Sequence, residues 1–218
     1  GIQRARLAHL IYAWLTPFTD IHSAKEMTGG SSDAEFVRIN QFYMETSQNM
    51  AKYQGLKAAG KEILVVCEKK MYAEELEALA AKAGVAFLNY KVSGGFLTNF
   101  DTFKKRIDSI YEMVSFMETD AFASLTKKEQ LVYKRNFERA NKVYKGVTKL
   151  KKRPELVIIV DGNMLSTLID EVENLKGKLE AIVIAGTNFS RYWPENEIIT
   201  TNINSYQSLD FVLKSILL

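Results

Sequence analysis

Short apolar runs without polar alternation are what most restrict the folds open to this chain. Ile63-Leu64-Val65-Val66-Cys67, Val85-Ala86-Phe87-Leu88 and Val157 to Val160 are of this kind. A strand with one wet face alternates, whereas an unbroken apolar run is the form of a strand covered on both faces of a parallel sheet. Met71 to Ala83, rich in Ala, Leu and Glu, reads as a crossover helix between the first two runs. Met164 to Leu175 reads as a further helix, Ala181 to Ala185 and Glu197 to Thr200 as a fourth and fifth strand, and Ser205 to Leu217 as a closing helix. The series predicts right-handed crossovers and a doubly wound α/β body with a parallel five-stranded sheet.

The order is interrupted between the second and third strands. Phe103, Ile107, Ile110, Val114 and Met117 fall at steps of four and three, as do Tyr133, Phe137, Ala140, Tyr144 and Val147. That is the seam spacing of one helix lying along another. Thr126 and Glu129 have the spacing of a capping box and start the second helix, and Gly146 reads as its left-handed stop. Residues 118 to 125 are then the turn of an antiparallel coiled-coil hairpin whose arms reach roughly 30 Å each. The predicted division is an extension over 1–33, an α/β domain over 34–97 and 154–218, and the inserted hairpin over 98–153.

Charge is divided as sharply. Residues 102 to 153 hold ten Lys and four Arg against six acids, while the whole chain is only +3, because residues 154 to 218 carry four bases and nine acids. Antiparallel arms bring their outer ends together, so Lys104, Lys105 and Arg106 should lie near Lys145, Lys149, Lys151, Lys152 and Arg153. A solvated charged coiled coil is one reading. Clustering at the root, rather than alternating signs along the arm, favours a polyanion, and the density suits neutralisation of nucleic-acid phosphates.

Asn89-Tyr90-Lys91-Val92-Ser93-Gly94-Gly95-Phe96-Leu97-Thr98-Asn99-Phe100, the helix after it, Leu125-Thr126-Lys127-Lys128-Glu129 and the run to Pro154 closely resemble the bacterial-type small-subunit ribosomal protein S-two family. Lys69-Lys70 after the first strand, the strand ending in Asp161, and Gly186-Thr187-Asn188 after a later one extend the resemblance over about residues 60 to 216. It implies a flavodoxin-like α/β domain carrying a projecting coiled-coil hairpin. It also implies a structural, non-enzymatic role in the small ribosomal subunit, near the junction of head and body. The partners it implies are small-subunit ribosomal RNA and neighbouring ribosomal proteins, with no cofactor, metal or small-molecule substrate. The RNA contacts are expected from Lys69, Lys70, Lys91, Gly94, Gly95, Thr98, Asn99, Lys104, Lys105, Arg106, Lys149, Lys151, Lys152 and Arg153. Gly94 and Gly95 admit close backbone approach, and Thr98 or Asn99 caps the next helix, leaving backbone amides to meet phosphate or ribose oxygens.

The rest of the chain narrows the alternatives. A nucleotide-binding enzyme needs a glycine-rich turn after its first strand, where this chain has Cys67-Glu68-Lys69-Lys70. Asp161 at a strand end reads as a helix cap, and Cys67 as a small buried hydrophobe. His9 and His22 lack metal-ligand spacing, and no run is long enough to cross a bilayer. The single cysteine suits a reducing compartment. A divergent N-terminal region and a start at Gly1 lead us to expect a mitochondrial ribosome, the alternatives being a bacterial cytoplasmic or plastid one. A protein-only coiled-coil adaptor is the remaining rival. Arg4 and Arg6 read as a solvated terminus, and Leu7 to Leu15 as a helix or anchor stopped by Pro17. Ser32 with Glu35 should launch a helix towards Ala59, buried through Phe36, Ile39, Tyr43, Met50 and Tyr53.

Overall fold

Each apolar run becomes a strand with cover on both sides. In the computed structural model, which describes residues 32 to 218 and side chains from residue 41 onward, β1 (Ile63–Val66), β2 (Ala86–Leu88), β3 (Leu156–Val160), β4 (Glu180–Ala185) and β5 (Ile198–Thr200) form one parallel sheet in the order β2-β1-β3-β4-β5. The readings of Arg4, Arg6, His9, His22 and Leu7 to Leu15 lie outside the described residues, and the Ser32–Glu35 cap rests on side chains outside the described ones. Register runs Val65↔Phe87, Val65↔Ile158, Ile158↔Ile182 and Ile184↔Ile199. The doubly wound parallel fold expected from the sequence is the one observed.

Alternate strand residues feed two separate cores. On one face Ile63, Val65, Leu156, Ile158, Val160, Ile182, Ile184 and Ile199 pack against helices α1 (Ser32–Ala58), α2 (Ala73–Ala83) and α7 (Tyr206–Leu217). Helix α7 shows why it docks there: Leu209, Val212, Leu213, Ile216 and Leu217 repeat at steps of three, one, three and one, a single apolar stripe. On the other face Leu64, Val66, Val157, Ile159, Ala181 and Val183 meet Leu168, Ile169 and Val172 of α6 (Ser166–Asn174). That core also takes in Phe96, Leu97, Phe100, Phe103, Ile107, Val147 and Leu150. Each such side chain, fully buried, contributes roughly 1.5–3 kcal/mol. The base of the hairpin is therefore built into the body.

The hairpin consists of α3 (Phe100–Met117), the short α4 (Asp120–Ala123) and α5 (Lys127–Tyr144). At 18 residues each, its two long helices are about 27 Å in length. The Thr126–Glu129 capping box forms in both directions. The seam is tightest at the base, where Phe103, Ile107 and Ile110 are buried, while Val114 is exposed. Residues 118 to 125 are more than a turn: α4 inserts Phe122 against Phe116 and Tyr133, with ring centroids 5.8 and 5.6 Å away, closing the tip with an aromatic plug.

Two expectations are corrected. Gly146 follows the helix without a left-handed φ and is needed for space instead, because a Cβ there would lie 2.2 Å from the Phe87 carbonyl oxygen. The chain leaving the hairpin runs against β2, and the Phe87 N–H donates to the Gly146 carbonyl at 3.1 Å. In α1 the buried stripe is Phe42, Glu45, Thr46, Asn49 and Tyr53, with Tyr43 and Met50 only half-buried, and Phe36 and Ile39 outside the described side chains. The cause is the open edge of β5. The Thr200 N–H donates to Glu45 Oε2 at 2.8 Å, and Asn49 Nδ2 donates to the Ile198 carbonyl at 3.2 Å. Residues 198 and 200 point the same way along a strand, so two polar side chains one helical turn apart stand in for a missing neighbour.

Candidate nucleic-acid interface

The two ends of the insertion meet as the seam spacing requires. The Phe103 ring in the first turn of α3 packs tilted against Tyr144 in the last turn of α5 with centroids 6.5 Å apart, and Arg106 lies over the Phe103 ring at 5.2 Å. Val147 and Leu150 are buried in the same core, and around Leu150 the side chains of Lys149, Lys151 and Lys152 are exposed, as is Lys105 on α3. Hydrophobic anchors thus alternate with cations, so burying the former presents the latter to solvent.

The expected contact residues differ in how free their charges are. Among the described residues no carboxylate pairs with Lys70, Lys91, Lys105, Arg106, Lys149, Lys151 or Arg153. Lys104 pairs with Asp108 one turn on, Lys152 with Glu155 at 3.0 Å, and Lys145 with Glu77 of α2. Such surface pairs are weak and exchange readily for phosphate. Lys69 is different: its ammonium lies 2.9 Å from Asp161 and 3.1 Å from Asn204 Oδ1, with only 12% of the side chain exposed. It bridges the carboxyl ends of strands within the body, so its charge is already matched there.

The glycine motif is likewise engaged within the body. Gly95 takes φ 84°, while Gly94 has an ordinary φ and is exposed. The amides of Gly95, Leu97 and Thr98 already have an acceptor, because they donate to the Glu171 carboxylate at 2.6, 2.8 and 3.1 Å. Asn99 occupies the N-cap position of α3 without bonding its amides, and its Oδ1 accepts from the Thr102 hydroxyl at 2.9 Å. Sequence reasoning missed Glu171, whose carboxylate on a helix has the look of a solvated face. It also missed Tyr90, half-exposed beside Lys91, with the Lys142 ammonium 4.1 Å from its ring centre.

The carboxyl ends of the strands, where a doubly wound sheet would take a ligand, are occupied by the protein's own groups. Asp161, at φ 69°, accepts from the Met164 N–H at 3.1 Å and holds Lys69, and the Phe189 ring lies so near Gly162 that a Cβ there would be 2.5 Å away. Cys67 is buried and its thiol is pushed up to about 11, chiefly by burial. A cavity of about 730 Å³ lies at the opposite end, and on its wall Lys52 pairs with Glu197 at 3.3 Å and Lys61 with Glu155 at 3.1 Å. No group of metal-ligating side chains occurs among the described residues, and no helix among them is long and apolar enough to cross a membrane.

The sequence that folds this way has relatives among known proteins. The family model for ribosomal protein S2 matches residues 23–217, a span that includes every strand and the whole hairpin. The chain belongs to the ribosomal protein S2 family. Similar curated proteins include the small ribosomal subunit protein uS2 of Francisella tularensis subsp. holarctica, 32% identical over 159 residues, or 72% of this chain and 64% of the relative. Those of Francisella philomiragia and of Francisella tularensis subsp. novicida are each 31% identical over the same shares. The match spans less than two thirds of these relatives' own length. The S2 family match extends past the hairpin on both sides, so root and sheet body belong to one inherited unit.

Proposed function

We propose that this chain is a structural, non-catalytic constituent of the small ribosomal subunit, attached to ribosomal RNA through the root of its hairpin. The observation that carries the reading is the gathering of Lys105, Lys149, Lys151 and Arg153, cations without a carboxylate partner among the described residues, around a buried hydrophobic anchor in a member of the S2 family. Lys70, Lys91, Arg106, Lys104 and Lys152 extend that surface, and Gly94, Thr98 and Asn99 offer close approach to ribose and phosphate beside it. Fixed cations gain affinity by releasing counterions from the RNA. The sheet body serves as a rigid wedge near the junction of head and body, with its acidic C-terminal portion facing neighbouring ribosomal proteins.

The finer reading of location is a mitochondrial ribosome, which we base on the divergence of the chain from its bacterial relatives; organelle fractionation followed by sedimentation tests it. The function is tested by reversing Lys105, Lys149 and Lys151 to Glu together. The parent should travel with small ribosomal particles on a sucrose gradient and the triple variant should stay at the top. Affinity of the parent for ribosomal RNA should fall by roughly 0.7 to 0.9 decades per decade of salt for each phosphate contacted. Full incorporation of the variant would overturn the reading.

A further inference from the structure

Four donors from the segment ahead of α3 converge on one carboxylate of the body. Glu171 Oε1 accepts from the Gly95 N–H at 2.6 Å, and Oε2 accepts from the N–H groups of Leu97 and Thr98 at 2.8 and 3.1 Å, with the Thr98 hydroxyl at 3.4 Å. Glu171 is only 6% exposed, and among the described residues no Lys or Arg pairs with it. A buried carboxylate without a cation persists only where hydrogen bonds meet its charge. Backbone amides aimed together at an anion do so with short, strong bonds. The left-handed φ of Gly95 makes the convergence possible, since a side chain there would be strained.

Burial alone does not explain a glutamate at this position. Its neighbours on the inward face of α6, Leu168, Ile169 and Val172, are apolar, as a helix covering a sheet requires. What Glu171 adds is a tie from α6 to the loop that starts the hairpin, and the Asn99 N–H donating to the Gly95 carbonyl at 2.8 Å passes that tie on to α3. A second carboxylate repeats the device just upstream, where Glu68 Oε1 accepts from the Val92 N–H at 2.7 Å.

We propose that Glu171 is a positioning residue for RNA attachment: an internal anion that fills the amide cradle before α3, fixes the direction in which the arms leave the body, and so aligns the root cations with the RNA backbone. This rests on the reading of the root as the RNA-binding surface. Phosphate does not enter the cradle, because the chain's own carboxylate holds it.

Glu171→Ala empties the cradle while leaving every root cation in place. Spin labels on Lys128→Cys in α5 and Gln207→Cys in α7, both exposed, report the direction of the arm, and buried Cys67 stays unlabelled. The variant should broaden the label-to-label distance distribution and lower incorporation into small subunits by on the order of tenfold or more. Added formate, a carboxylate small enough for the cradle, should restore the narrow distribution. Should Glu171→Ala fail to fold, Glu171→Gln, which keeps one acceptor oxygen, carries the same comparison. An unchanged distance distribution would overturn the proposal, and so would a broadened one with full incorporation. The triple charge reversal keeps the distance narrow. Its full incorporation would sink the RNA reading without touching the role of Glu171 in holding the arm.

Discussion

Replacing Gly146 by Ala should destabilise the protein out of proportion to the one methyl group added. The new Cβ would lie 2.2 Å from the Phe87 carbonyl oxygen and 2.7 Å from two carbons of its ring. Backbone cannot yield as a flexible side-chain tip does, so the segment leaving the hairpin must move away from β2 by roughly an ångström. Forcing extra volume into a packed site costs about 1–3 kcal/mol. Moving away also breaks the 3.1 Å bond from the Phe87 N–H to the Gly146 carbonyl, and leaving that half-buried donor without its acceptor costs up to about 1–3 kcal/mol more. The sum is about 2–5 kcal/mol, allowing for partial relaxation, and at about 2–4 °C per kcal/mol the melting temperature falls by about 5–20 °C. Thermal and urea unfolding followed by circular dichroism measure it. The control is Gly94→Ala in the family motif, where the nearest atom to a new Cβ is Thr167 Cγ2 at an ordinary 3.7 Å and φ is not left-handed. That variant should stay within about 0.5 kcal/mol of the parent. A Gly146→Ala protein melting with the parent, or a Gly94→Ala protein falling as far, would refute the reasoning.

Other outcomes follow from buried polar groups. Glu45→Ala should cost about 1–3 kcal/mol by leaving the Thr200 N–H without an acceptor, whereas Glu45→Gln, which keeps a carbonyl oxygen there, should lie within about 1 kcal/mol of the parent in urea unfolding. Burial holds the Glu45 carboxyl above the usual carboxylate range, so between its ordinary and raised values the folded state binds more protons than the unfolded one. The parent should therefore gain stability relative to Glu45→Gln as pH falls through the raised value, with the gain levelling off below the ordinary value. Cys67, buried with its thiol pushed up to about 11, should react with a disulfide reagent at neutral pH only as fast as the protein opens, and at full rate in denaturant.

The sheet was legible because its residues announce themselves locally. Unbroken apolar runs, the Thr126–Glu129 cap and the two seams all signal within a few residues of themselves, and they lead to the observed strands and arms. What escaped depends on neighbours that topology supplies. The pairing of Lys69 with Asp161 shows only once the strand order sets β3, and with it Asp161, beside β1. Gly146 reads as a helix stop because Phe87, the residue it must accommodate, lies on the far side of the insertion. Glu171 gives no sign of its role, since its partners are backbone amides and any sequence supplies those. Glu45 and Asn49 break the apolar stripe of α1 for a similar reason: they answer the ladder groups of an edge strand, whose side chains say nothing about which edge is open.

The sheet has two lateral margins, and groups from outside it seal both: Glu45 and Asn49 along β5, and the carbonyl of Gly146 along β2. Two molecules meeting margin to margin therefore find ladder groups already engaged on each side, which works against their stringing into fibres. The second seal is the chain's own return from the hairpin. A protease nick within the arms that let this return peel away would bare the β2 margin, so the same insertion that reaches outward also guards the body against polymerising.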